Sequence, residues 1–104
     1  MRTIKNLVSQ NDERVYVYLA NNELGSKFMH QAEEEGFVFE DGAKPTSRTY
    51  AEIMAVNGNI TINFVGTNGR IAFGSGAKKM GDKTLVRVDY EKYINGDADY
   101  FYHK

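Results

Sequence analysis

The chain has 104 residues, 41% of them hydrophobic and 26% charged, with one proline and no cysteine. That suits a single α+β-sized domain over residues 1–104 and excludes a disulfide framework, thiolate chemistry and extended disorder. No stretch approaches the ~18 apolar residues of a membrane span, and MRTIKNLVSQ has no apolar leader, so a cytoplasmic protein with no membrane partner is expected.

The net charge of −1 hides a pattern. Residues 1–41 carry four basic against eight acidic side chains, residues 42–88 seven against two, and residues 89–104 two against four. The positive central block can attract a small anion. The competing reading is an ordinary solvated surface.

In chain order, residues 1–13 read as a polar lead-in that docks Ile4, Leu7 and Val8 on the core. Arg14–Ala20 is a strand by its β-branched and aromatic content, with Val15, Val17 and Leu19 on one face and Tyr16 and Tyr18 on the other. Two substantial faces place it centrally or set its tyrosines against a partner subunit. Asn21 or Asn22 caps a helix over 22–35, with Glu23 in its first turn and Leu24, Phe28, Met29 and Ala32 as its apolar stripe. Phe37–Phe39 is a short strand, followed by a turn at Glu40-Asp41-Gly42 and a loop through Pro45. Ser47 either caps a helical turn through Tyr50 or leads directly into the next strand.

Residues 52–73 predict three strands joined by tight turns at Asn57-Gly58-Asn59 and Gly66-Thr67-Asn68-Gly69. Ile60, Ile62 and Phe64 alternate with Thr61, Asn63 and Val65. Gly74–Asp82 is a flexible glycine-rich loop. Thr84–Tyr90 is another strand, with Leu85, Arg87 and Asp89 opposite Val86, Val88 and Tyr90. Glu91–Ile94 is a helical turn, and Asp99–Tyr102 closes as an edge strand. The expected fold is α+β: a mainly antiparallel sheet of five or six strands with the 22–35 helix on one face. The other face, rich in Tyr and Val, is expected to form a homo-oligomer interface.

The glycine-rich loop is the leading candidate site. Its backbone N–H groups could turn toward an anion that Lys78, Lys79 and Lys83 neutralise. It is not a P-loop, because Ser75 stands where the lysine belongs. Arg48, Arg70 and Arg87 offer guanidiniums for phosphate. Tyr50, Phe73 and the tyrosines near the C-terminus offer rings for a base. For each residue singly, a solvated or core role competes. His30 and His103 lack a third spaced ligand, so no metal site is expected. Asn95–Asp99 lacks the later glutamate of a calcium loop. No catalytic set and no cofactor is expected.

Three segments, EEEGFVFEDGAKPTSR, VNGNITINFVGTNGRIAF and VRVDYEKYINGDADYFY, resemble small proteins carried by phages and mobile elements of Firmicutes. The likeness covers most of residues 14–102. That population includes anti-defence proteins, among them anti-Thoeris and anti-CBASS sponges, compact oligomers that sequester cyclic nucleotide signals. No sponge motif matches residue by residue, so the resemblance assigns no site. Other members inhibit host nucleases by contact, often as acidic DNA mimics, and the positive middle block is unlike these. The expected function is therefore a non-enzymatic binder of a small phosphorylated ligand, a cyclic nucleotide, with Arg48, Tyr50, Arg70, Phe73, Lys78, Lys79, Lys83 and Arg87 as its site. The alternative is a protein-interaction module acting on a host nuclease or regulator. Binding to nucleic acid is opposed by the acidic flanking segments.

Overall fold

The computed structural model describes residues 2–8 and 12–103. Part of the polar lead-in, residues 9–11, lies outside them. Among the described residues, six strands form one mixed sheet in the order β2-β4-β3-β1-β6-β5. They are β1 (Glu13–Tyr18), β2 (Val38–Phe39), β3 (Ile53–Asn57), β4 (Thr61–Phe64), β5 (Lys79–Met80) and β6 (Lys83–Asp89). Three α-helices accompany them: α1 (Asn22–Glu34), α2 (Thr67–Ser75) and α3 (Tyr90–Ile94). Ile4–Leu7 and Pro45–Ser47 are single 3₁₀ turns.

β1 is central. It runs antiparallel to β3, with Val15 opposite Val56, and parallel to β6, with Val15 opposite Val86. A second parallel pair joins β2 to β4. The sheet is therefore mixed, with three antiparallel pairs and two parallel ones, which matches the expected mainly antiparallel sheet only roughly. The reason is topological: β1 and β6 are separated by most of the chain, so they need not meet through a hairpin.

Each face of β1 serves a different core. Val15 and Val17 join Met54, Val56, Ile62 and Val88 beneath α1, whose Leu24, Phe28, Met29 and Ala32 are buried. The Asn21 side chain accepts from Leu24 N at 2.9 Å and starts that helix. Tyr90, at the start of α3, packs edge-on to Phe28 with ring centroids 5.4 Å apart. The N-terminal turn is fastened to α1 because the Glu35 carboxylate accepts from Ile4 N and Lys5 N at 2.9 and 2.8 Å.

The opposite face carries Tyr16, Ile53, Ala55 and Leu85, buried with Val65 and Phe73 under α2. Two expectations are corrected here. The segment after Gly66 is a helix, not the second half of a hairpin. Val65, Gly69, Ala72 and Phe73 are the inward positions, a spacing of four, three and one that fits 3.6 residues per turn and not two. Consequently the Tyr-rich sheet face is covered from within the chain by α2 and Tyr102, so it is not a bare oligomer surface.

Smaller differences follow. Gly74–Asp82 contains the short strand β5, and the C-terminal segment makes a single bridge, Val88 to Phe101, in place of a full edge strand. After Pro45–Ser47 the chain runs extended at Arg48. Among the described residues no helix is long and apolar enough to cross a membrane.

Candidate functional site

The glycine-rich segment ends α2. Gly76 adopts φ 78°, the left-handed conformation that closes a helix, and a side chain there would be strained. Its N–H and that of Ala77 donate to the carbonyls of Phe73 and Ala72. These two amides of the segment expected to cradle an anion are thus bonded within the chain. They also sit at the C-terminal, partially negative end of a helix, which repels anions. Arg87 completes the cap: its Nη1 donates to the Phe73 carbonyl at 2.9 Å.

Around this cap lie two shallow clefts that share one wall, Tyr102. The first, about 390 Å³, is lined by Tyr18, Glu52, Arg70, Ile71 and Tyr102. The second, about 330 Å³, is lined by Lys78, Arg87, Phe101, Tyr102 and His103. Tyr102 is held there by its N–H, which donates to the Arg87 carbonyl at 3.0 Å, and by ring contacts. Its centroid is 4.8 Å from Tyr18 and 4.6 Å from Phe73. The Arg87 guanidinium lies 5.7 Å from the centroids of both Phe73 and Tyr102, within cation–π range.

The electrostatics of the two clefts differ. In the first, Glu52 opposes Arg70, and burial, followed by the Glu52 charge, pushes the Tyr18 hydroxyl above its ordinary pKa. In the second, Lys78 and Arg87 stand without a carboxylate in the lining. His103 pairs at 2.9 Å with Asp99, whose carboxyl is held low by that bond and by the Phe101 amide.

The fold brings together only some of the expected residues. Lys78 and Arg87 meet in one cleft, and Arg70 lies in the neighbouring one. Phe73 lines the first cleft but is 2% exposed, clamped between Tyr18 and Tyr102. It supports the aromatic wall and offers no ring face for stacking. Lys79 and Lys83 sit on the β5–β6 hairpin, in the lining of neither cleft. Arg48 and Tyr50 line a different groove, beside α1, where Arg48 pairs with Asp41 at 2.5 Å and covers the Phe39 ring at 4.6 Å. Tyr102 is one of the C-terminal tyrosines expected to offer a ring for a base, whereas Tyr18 is a lining residue that sequence reasoning did not single out for a ligand. Its only local signal was its aromaticity. Comparison with family models, curated proteins and solved structures gives no match to this chain.

Proposed function

We propose that the chain is a non-enzymatic binder of a small phosphorylated ligand, a nucleotide, at the paired clefts around Tyr102. One observation carries this: Lys78 and Arg87 line the same cleft as the rings of Phe101 and Tyr102. Cations beside accessible aromatic rings match a ligand that is anionic at one end and planar at the other. The resemblance of the three segments to mobile-element proteins supplies the biological half of the reading, a phage or mobile-element sponge for a cyclic nucleotide signal in the host cytoplasm. The proposal includes a homo-oligomer, because a second copy would enclose a ligand that each shallow cleft leaves open.

Calorimetric titration with cyclic dinucleotides, cyclic trinucleotides and cyclic ADP-ribose isomers tests it. Saturable heat is expected from at least one of them, reduced about tenfold in affinity by Lys78→Ala, as loss of one charge-assisted contact implies. The ligand recovered by chromatography is expected intact. No heat and no thermal shift with any of them would remove the proposal.

A second reading rests on Ile71 and Phe101, which are 64% and 44% exposed on the rims of these clefts. Exposed apolar side chains beside cations suit contact with a protein, such as a host nuclease or regulator. That reading predicts a stable complex from host lysate, indifferent to nucleotides and lost in Ile71→Asp.

A further inference from the structure

A groove between residues 22–30 of α1 and residues 46–50 lies apart from the Tyr102 clefts and shares no lining residue with them. It encloses about 380 Å³, within the roughly 300–1,000 Å³ that small-molecule sites occupy. Met29 and Tyr50 supply its apolar lining. The Tyr50 ring is fixed at both ends. Its base packs so closely on α1 that a Cβ on Gly25 would stand 2.3 Å from Cγ. Its hydroxyl donates to Asn22 Oδ1 at 2.7 Å. The aromatic surface is therefore in place before any ligand arrives, which lowers the ordering cost of binding.

The polar lining is mixed. The Asn22 amide nitrogen and the Thr49 hydroxyl make no hydrogen bond among the described residues. His30 Nδ1 lies 2.8 Å from the Ser26 carbonyl, which can only accept, so Nδ1 carries the proton. In the neutral ring Nε2 is then an acceptor. The groove thus offers donors, an acceptor and a hydroxyl that can serve as either.

Charge selects the class of ligand. Arg48 is already paired with Asp41. Glu33 accepts from both the hydroxyl and the amide of Thr46, at 2.6 and 3.1 Å, and these donors hold its carboxyl below the usual range, so it stays ionised beside the groove. With Arg48 offset by Asp41 and Lys44 acting on Glu33, the charges around the groove balance and give a phosphate no net attraction. A neutral ring bearing several hydroxyls meets both requirements. Each hydroxyl donates and accepts, and the ring's C–H face packs on an aromatic side chain. We propose that the groove lined by Asn22, His30, Thr49 and Tyr50 binds a neutral, hydroxyl-rich ring of monosaccharide size. This does not depend on the nucleotide reading.

The test uses the full chain, ¹⁵N-labelled, titrated with D-glucose, D-galactose and N-acetyl-D-glucosamine, with inorganic phosphate as the charged probe. At least one sugar is expected to give saturable amide shifts confined to residues 22–30 and 46–50, in the millimolar to tens-of-millimolar range. Phosphate is expected to leave those amides in place. Asn22→Ala and Thr49→Val replace exposed side chains, so the sheet amides are expected to hold their positions while affinity falls about three- to tenfold. No saturation with any of the three sugars, or phosphate moving the same amides, overturns the proposal. Unchanged affinity in both variants overturns the assignment of these residues.

Discussion

Gly25 lies inside α1, where glycine is about 1 kcal/mol worse than alanine. Its reason is Tyr50, whose ring occupies the space a Cβ would need. Overpacking of this kind costs about 1–3 kcal/mol, which outweighs the helix gain. Gly25→Ala is therefore expected to destabilise by about 1 kcal/mol in urea denaturation. In a Tyr50→Ala background the same change is expected to stabilise by about 1 kcal/mol, because only the propensity term remains. A substitution that destabilises equally in both backgrounds would remove this account. Ile60 shows the opposite bargain: φ 60° is unfavourable for a β-branched side chain. The turn holds it there with a side-chain network in which Asn57 Nδ2 donates to Thr61 and Asn63 at 3.1 and 2.7 Å.

Titration also belongs to single residues. Burial pushes the hydroxyls of Tyr90, Tyr93 and Tyr18 above the ordinary value of about 10. A folded-state pKa above the unfolded one contributes stability that is present below pH ~10 and lost as pH rises toward the folded values. Hydrogen bonds act oppositely on the carboxyls of Glu33, Asp41 and Asp99, through Thr46, Arg48 and His103 respectively. Their contribution is present above pH ~4 and lost as pH falls through the lowered values. Melting temperature against pH is expected to decline at both ends, the alkaline limb tracking tyrosinate absorbance. Ionisation of all seven tyrosines near pH 10 without loss of stability would contradict the first half.

Among the elements, the C-terminal segment has the most consequence per residue. Asp89 N donates to the Tyr100 carbonyl at 2.8 Å, and Tyr102 N to the Arg87 carbonyl at 3.0 Å, so the outer edge of β6 is covered. Tyr102 then closes the α2-side core over Tyr18 and Phe73. Tyr102→Ala is expected to destabilise by about 2 kcal/mol, less than loss of a fully buried ring. It should also merge the two clefts and abolish nucleotide binding. Denaturation followed by circular dichroism reads the first effect and calorimetry the second. Nucleotide affinity that survives the substitution would place the ligand elsewhere.

At the scale of the whole molecule, the sheet is covered by α1 and α3 on one side and by α2 with Tyr102 on the other. Both sheet faces are thus covered from within the chain, and the proposed assembly is expected to use α2 and the C-terminal segment. Ile71 and Phe101 are the exposed apolar side chains on that side. Light scattering is expected to give a mass above the 11.8 kDa of one chain, reduced to that value by the Ile71→Asp, Phe101→Asp double substitution. A monomer at all concentrations, with and without ligand, would sink the oligomer part of the proposal.

Local physics was enough for α1 and β1. Leu24, Phe28 and Ala32 repeat at helical spacing behind an Asn cap, and Val15 and Val17 alternate with Tyr16 and Tyr18, which the fold sends to two different cores. β6 and α3 were legible for the same reason. Residues 66–73 were not, because Gly, Thr and Asn serve a turn and a helix start equally well. Only the Tyr16–Ile53–Leu85 surface beneath decides that Gly69 and Phe73 face inward together. The site followed the same division. Cations and rings could be counted along the chain, but strand order and the C-terminal return set which of them meet. That is why Lys78, Arg87 and Tyr102 share a cleft while Arg48 and Tyr50 face another. Side-chain chemistry is carried by each residue alone, whereas proximity is a property of contacts between residues far apart in the chain.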